Sequence, residues 1–296
     1  MIDFFRALAS PDVPFIRYAL IAGVMSSAAF GVIGTYVIVR RISYIAGAVS
    51  HSVLSGIGLG LLLQNRYGIM WFTPLLGAVL AAMLSALVIG LVSIYARQRE
   101  DTVIGAIWAI GMAVGVMLLS RTPGYVDPMS YLFGDILIIS RSDLYLIVGL
   151  DIVVLALGAL FYKQFQAVIF DEEFAAVRGL NTGLYYMMML LLTALTVVLM
   201  VTIVGIVMVI AMLTLPAAVG GLFSRRLWQM MILSSVFCVV FTACGLAFSY
   251  LYDFPTGSTI IVFAGGVYIL SIALKNLWKR FHRRAPAARE GVRSSS

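Results

Sequence analysis

Two ionisable residues, His51 and Asp151, lie inside long apolar stretches of the sequence. An ionised side chain at the centre of a membrane costs about 2.5–3.5 kcal/mol on insertion scales, so such residues are uncommon and often functional. A neutral imidazole is a good ligand for zinc and also binds manganese or iron. Metal coordination and proton transfer are therefore the two chemistries that these positions suggest. The alternative for both residues is a hydrogen bond to a neighbouring helix.

A stripe of small and polar residues surrounds the histidine. At helical spacing, one face of the segment carries Ser43, Gly47, Ser50, His51, Ser55 and Gly58. Such a face suits a water-filled lumen better than lipid, so we predict a metal path in which Ser50 and Ser43 assist His51. One histidine cannot form the four-ligand tetrahedral site of bound zinc, whereas a conduit needs fewer and weaker contacts because the ion must leave.

Three acids could extend this path. Asp151 would be a further polar point on it, and Asp127 and Asp135 could concentrate cations at an entrance. A solvated loop surface is the alternative interpretation for Asp127 and Asp135.

The elements that hold these residues are apolar segments separated by short polar breaks. The sequence is 62% hydrophobic and 11% charged, whereas soluble domains are about 25% charged. A helix needs roughly 20 apolar residues to cross a membrane, and only helices and closed barrels satisfy their backbone there. We predict an all-α, polytopic membrane bundle with eight or nine spans. The predicted spans are Tyr18–Val39, Tyr44–Leu63, Phe72–Ala96, Thr102–Leu119, Leu144–Tyr162, Leu184–Val201, Ile203–Leu215 with an extension past Pro216, Met230–Leu251 and Thr259–Leu274.

The distribution of charge predicts three parts and an orientation. These parts are an extracytoplasmic N-terminal segment at residues 1–14, a transmembrane domain at 15–276 and a disordered basic tail at 277–296. Most of the 20 basic residues fall in the tail and in alternate connections. The positive-inside rule then places the N-terminus outside and the C-terminus in the cytoplasm. A basic tail beside a last helix indicates insertion orientation and anionic lipid, so we expect no nucleic-acid partner despite the net charge of +7.

Two inner segments could contact a cytoplasmic protein. Pro216 blocks normal helix continuation and Gly220-Gly221 loosens the turn, so the sequence predicts a short broken helix there. The segment that starts at residues 171–173 is acidic, which suits a helix N-terminus. It is either a solvated connector or a docking surface. None of the three lysines follows a glycine, so the chain has no G-x-x-x-x-G-K-[S/T] phosphate loop.

Three motifs, in order along nearly the whole chain, resemble the permease subunits of zinc/manganese/iron ABC importers. They are Arg40–Gly58, Ser130–Leu137 and Ile206–Val219. The resemblance implies a type II ABC importer fold, a permease dimer of identical or different subunits, and two cytoplasmic ATPase subunits that bind ATP. It also implies an extracytoplasmic metal-binding protein and a place in the bacterial inner membrane. The chain would be a transport subunit and not an enzyme.

The same resemblance implies roles for particular residues. His51 would line the metal path near the dimer axis. The residues that would contact the ATPase are Pro216, Ala217, Ala218, Gly220, Gly221, Ser224, Arg225, Arg226, Asp171, Glu172 and Glu173.

The chain departs from the family pattern next to the histidine. Many members of that family carry an aspartate four residues earlier, which would form a two-ligand clamp with the histidine on one helix face. The residue at this position is Gly47, so the clamp cannot form from this helix alone. Either the second permease subunit supplies an acid, or water with Ser50 or Ser43 completes the shell.

The leading hypothesis for function is import of a divalent zinc, manganese or iron ion, driven by ATP hydrolysis on a partner. A permease for a metal chelate such as a siderophore or cobalamin is one alternative. An ion-gradient-driven secondary transporter with Asp151 and His51 as a relay is another. An intramembrane metalloenzyme would have to depend on the same two residues.

Overall fold

The computed structural model describes residues 14–96, 100–124, 131–132 and 141–283. This part of the chain contains helices and no strand. The main helices are α1 Pro14–Arg40, α2 Ser43–Tyr67, α3 Pro74–Leu91, α4 Glu100–Arg121, α5 Arg141–Leu160, α6 Tyr162–Phe170, α7 Glu172–Val177, α8 Thr182–Val204, α9 Ile206–Phe223, α10 Leu227–Tyr252 and α11 Thr256–Arg283. A short π-helical segment, Val92–Ala96, continues α3.

The predicted all-α membrane bundle is confirmed. Among the described residues, seven helices are long and apolar enough to cross a membrane. An eighth span is counted if α5 and α6, which are bent by 65° at their junction, are taken together. The predicted span Leu184–Val201 falls on α8, whose apolar part, Thr182–Val198, is shorter. The structure therefore supports seven or eight full spans where the sequence predicted eight or nine.

The predicted break at Pro216 is wrong, because α9 continues through this residue to Phe223. A proline has no N–H to donate to the carbonyl four residues earlier, which here belongs to Met212. The thiol of Cys238 on α10 donates to that carbonyl instead, at an S···O distance of 3.7 Å. A neighbouring helix thus replaces the hydrogen bond that the proline removes.

The predicted tail at 277–296 lies partly within the described residues. Helix α11 continues to Arg283, so residues 277–283 are helical, and 1–13 and 284–296 lie outside the described residues.

The helices form two packed groups. In the first group, α2 packs between α3 and α4. A Cβ on Gly56 of α2 would lie 2.0 Å from the carbonyl oxygen of Gly77 on α3, so only glycine permits this backbone crossing. In the second group, α1 packs against α9, α10 and α5, with Gly34 against the backbone of Leu213.

Helix α8 connects the groups, because it contacts α2 and α3 as well as α9. A single residue, Gly205, separates α8 from α9. Its backbone angles are φ 88° and ψ 157°, a combination that is almost restricted to glycine.

The turn between α1 and α2 is equally short. The backbone N–H of Ile42 donates to the carbonyl of Val37 at 2.9 Å, and Arg41 adopts the left-handed conformation with φ 63°. The turn places Arg40 at one end of the bundle, close to the first residues of α4, α7 and α8. We call this end, marked by Arg40, Arg41, Asp101 and Glu172, the basic end.

Candidate functional site

His51 is buried at the interface between α2 and α4. Its side chain is only 8% exposed, and its ring stacks on the indole of Trp108, with 4.6 Å between ring centroids and 21° between planes. The Nδ1 atom is buried without a hydrogen-bond partner among the described residues. Buried polar atoms are normally paired. Because this nitrogen is not, it is available as a ligand or proton acceptor.

The indole of Trp108 also occupies the space beside Gly47. A Cβ placed on Gly47 would lie 2.8 Å from Cζ3 and 3.1 Å from Cη2 of that ring. A larger residue at position 47 would therefore displace the tryptophan. Trp108 was not among the residues predicted from the sequence, because no spacing along the chain relates a residue on α4 to one on α2.

The other residues of the predicted stripe are packed inside the chain. Ser50 is fully buried and its hydroxyl donates to the carbonyl of Ala46 at 2.8 Å. Ser55 donates to the carbonyl of Ser52 at 2.7 Å, and Gly58 packs against the backbone of Gly115 on α4. Ser43 is half-buried at the start of α2. Helix α4 thus covers much of this face of α2. Ser55 also lines an open cavity of about 680 Å³ between α2, α3 and α4.

The predicted acids lie apart from His51 or outside the described residues. Asp151 is 6% exposed, and it shares the buried face of α5 with Ile147 and Val154. Its Oδ2 atom has no hydrogen-bond partner among the described residues. Helix α5 packs against α1 and α8, whereas His51 lies between α2 and α4. Asp127 and Asp135 lie outside the described residues, as does most of Ser130–Leu137.

No group of three or more histidine, cysteine, aspartate or glutamate side chains able to hold a metal occurs within the described ranges. His51 is therefore an isolated candidate ligand in this region, and a single ligand is enough for a transient contact with a metal ion.

A polar cavity of about 550 Å³ opens at the basic end. Its walls come from the ends of α1 and α3 and from the starts of α2, α4, α7 and α8. The lining residues include Arg40, Arg41, Tyr44, Ser93, Asp101, Ile104, Glu172 and Tyr186. Tyr44 lies between this cavity and Trp108, with 5.5 Å between the two ring centroids.

Arg40 connects the α1–α2 turn to three other helices at the basic end. Its guanidinium group forms an ion pair with Glu172 at the start of α7 and donates to the carbonyl of Val168 on α6 at 3.4 Å. It also lies over the ring of Tyr186 on α8, 5.3 Å from the centroid. A displacement of α6 or α7 would therefore act on Arg40, which lies three residues before the start of α2.

The acidic segment predicted as a docking surface forms α7 and is exposed. Asp171 caps this helix by accepting a hydrogen bond from the Phe174 backbone N–H at 2.9 Å. Glu172 and Glu173 follow in the first turn, where negative charge is favourable. Apolar side chains are exposed beside these acids, with Phe174 54% and Val177 87% exposed.

The second predicted docking segment is only partly available. Pro216, Ala217 and Gly220 are buried inside the chain, and Gly220 packs against Ser234 of α10. These three residues therefore cannot form a contact surface for a partner in this structure. The half-buried or exposed members of the predicted set are Ala218, Gly221, Ser224, Arg225 and Arg226.

The chain is similar to known membrane transport proteins. The ABC 3 transport family matches residues 12–275. An uncharacterized membrane protein of Synechocystis sp. is 40% identical over 262 residues, which cover 88% of this chain and 91% of that protein. The manganese transport system membrane protein MntC of Listeria monocytogenes is 36% identical over 258 residues, with 87% and 89% covered.

A solved structure shares the fold along almost its entire length. It is PsaBC from Streptococcus pneumoniae in complex with Fab, with a TM-score of 0.80, 29% identity, and coverage of 92% of this chain and 95% of that chain. The chain therefore belongs to the ABC 3 transport family, and its predicted place among permease subunits of metal ABC importers is confirmed.

Proposed function

We propose that this chain carries Mn²⁺ into the cytoplasm as the permease of an ATP-driven importer. The observation that carries the proposal is the buried imidazole of His51, whose Nδ1 has no partner among the described residues, in a chain related to a manganese transport system membrane protein. Imidazole also accepts zinc and iron, so competition between the three ions is part of the test.

His51 acts as a transient ligand in this proposal. A single buried imidazole binds weakly enough for the ion to move on, whereas a closed four-ligand site would retain it. Further ligands come from a second permease subunit, or from water together with Ser50, whose hydroxyl donates to the backbone and keeps oxygen lone pairs for a metal. The names of the relatives favour a bare metal ion over a chelate such as a siderophore or cobalamin.

The basic end faces the cytoplasm and binds the ATPase in this proposal, with the N-terminus outside. The exposed acids and apolar side chains of α7 supply one contact surface, and Arg225 and Arg226 supply another. Arg40 joins α7 to the turn before α2 through its ion pair with Glu172. Movement of the docking surface during ATP hydrolysis then reaches the helix that carries His51. An extracytoplasmic metal-binding protein delivers the ion to the opposite end.

The test is uptake of radioactive Mn²⁺ by proteoliposomes that contain the permease with its co-purified ATPase. We expect uptake that requires ATP, is competed by Mn²⁺ more strongly than by Zn²⁺ or Fe²⁺, and falls at least about tenfold in His51→Ala, as expected when a path ligand is lost. Cys244→Ala, a half-buried substitution on α10, is the matched control. Normal uptake by His51→Ala would remove this residue from the path, and uptake without any ATPase would indicate a secondary transporter.

A further inference from the structure

We propose that Trp108 is a gate that separates His51 from the cavity at the basic end and fixes the plane of the imidazole. This inference rests on the proposed function and adds a residue that controls access to the path. The indole covers one face of the His51 ring at a centroid distance of 4.6 Å. It also fills the space beside Gly47, within 2.8 Å of where a Cβ would stand.

The position of Trp108 between cavity and histidine supports a gate. Ile104 and Tyr44 line the cavity at the basic end. Trp108 lies about one helical turn beyond Ile104 on α4, and His51 lies about two turns beyond Tyr44 on α2. The three rings therefore follow one another in the order Tyr44, Trp108, His51. An ion at His51 would have to pass the indole to reach the cavity.

The stacking geometry also explains how the indole can hold the imidazole of His51 while Nδ1 remains able to bind a metal. The lone pair of an imidazole nitrogen lies in the plane of the ring, whereas the indole contacts its face. Stacking therefore fixes the ring plane and leaves the edge that carries Nδ1 uncovered by the indole. Nδ1 has no hydrogen-bond partner in the described part of the chain, so no other group fixes it through this atom.

Trp108 can move without disruption of the helix crossing. Its side chain is half-buried, and the glycine beside it leaves the indole free of contact with a side chain at position 47. The backbone crossing of α2 and α4 is maintained elsewhere, where Gly111 packs on Ser52 and Gly115 packs on Leu54. Rotation of the indole would expose the His51 ring while these contacts remain.

Accessibility of a cysteine at position 51 tests the gate without metal or ATPase. His51→Cys is made in a Cys238→Ser, Cys244→Ser background, in which serine at position 238 keeps a donor for the Met212 carbonyl. The rate of modification by a water-soluble, positively charged methanethiosulfonate is then measured in the purified full chain. We expect Trp108→Ala to raise this rate at least about tenfold, as opening of a closed site would, and Trp108→Phe to leave it nearly unchanged.

Gly47→Ala provides a second route that keeps the tryptophan. Its Cβ would push the indole aside, so the modification rate of the cysteine introduced at position 51 should rise even if Trp108→Ala fails to fold. If neither Trp108→Ala nor Gly47→Ala changes the modification rate of the cysteine at position 51, the gate is overturned. If the rate rises as expected but His51→Ala transports Mn²⁺ normally, the gate stands and the proposed path role of His51 fails.

Discussion

The two packed groups of helices treat their polar side chains differently. In the group of α1, α9 and α10, buried hydroxyls are paired: Thr35 donates to the Gly31 carbonyl at 2.7 Å and lies 3.3 Å from the Ser234 hydroxyl. In the group of α2, α3 and α4, the buried imidazole of His51 keeps an Nδ1 without a partner among the described residues. Hydroxyls are paired in this group as well, since Ser85 on α3 donates to the Ser52 hydroxyl on α2 at 2.7 Å. The difference therefore lies in the imidazole of His51, which, like the Oδ2 atom of Asp151 on α5, lacks a partner among the described residues and is available for chemistry.

The comparison extends to backbone packing. Both groups use glycine to bring helices into contact, and the residues that surround His51 are held by backbone crossings at Gly56 and Gly111 as well as by the hydrogen bond from Ser85 to Ser52. Such crossings hold α2 rigidly while its neighbour α4 presents many side chains outwards. A tightly packed α2 beside a more exposed α4 suits a site at His51 from which the indole of Trp108 must move away.

The largest expected effect comes from breaking the α2–α3 crossing. Gly56→Ala places a Cβ 2.0 Å from the Gly77 carbonyl oxygen, and overpacking against backbone should lower the free energy of unfolding by about 3 kcal/mol. Gly149→Ala is the control, because nothing lies within 4 Å of its Cβ. We expect this helical substitution to be neutral or to stabilise by about 0.5–1 kcal/mol. Thermal unfolding in detergent measures both, and similar melting temperatures would contradict the crossing.

The next effect is expected on transport and not on stability, where α7 meets the α1–α2 turn. Arg40→Gln or Glu172→Gln removes the ion pair that links α7 to the α1–α2 turn. The unfolding free energy should change by less than about 1 kcal/mol, because these side chains are 25% and 45% exposed. The amount of metal imported per ATP hydrolysed should fall in both variants.

The control for this experiment is Asp253→Asn, which neutralises an acid at the C-terminal end of α10. Asparagine tolerates the left-handed conformation of residue 253, with φ 54°. If the ion-pair variants keep the same ratio of import to hydrolysis as this control, Arg40 does not transmit movement.

A smaller loss of stability than at Gly56 is expected in the group of α1, α9 and α10, at the thiol that supports Pro216. Cys238→Ala leaves the Met212 carbonyl without its donor and should cost about 1 kcal/mol of stability. Pro216→Ala restores a backbone donor to the same carbonyl, so the cost of Cys238→Ala should shrink in that background. A double-mutant cycle by chemical denaturation measures this coupling, and additive effects would show that the thiol and the proline are independent.

The sequence predicted most of the fold, because long apolar runs require spanning helices whatever their partners. It located a helix at every predicted span and identified His51 as a buried residue on α2. It failed at Pro216, since the rule for isolated helices does not include a thiol donated from α10. It also missed the 65° bend between α5 and α6, where no proline or glycine stands at the junction.

The candidate site was predicted only in part for a related physical reason. The spacing of Ser50 and His51 shows which residues share a face, but it does not show what covers that face. Trp108 lies on another helix, and its contact with Gly47 exists only after α2 and α4 pack. Likewise, Ala217 and Gly220 look available in the sequence and become buried once α9 meets α10 and α1.

Gly205 has a consequence for how the two groups can move relative to each other. Because it is the sole residue between α8 and α9, its two backbone torsion angles set the angle between these helices. If Arg40 pulls on Tyr186 near the start of α8, the strain must either rotate Gly205 or carry α9 along, together with the arginines at its far end. We therefore expect Gly205 to influence how a movement at the start of α8 reaches Arg225 and Arg226, one of the two predicted contact surfaces for the ATPase.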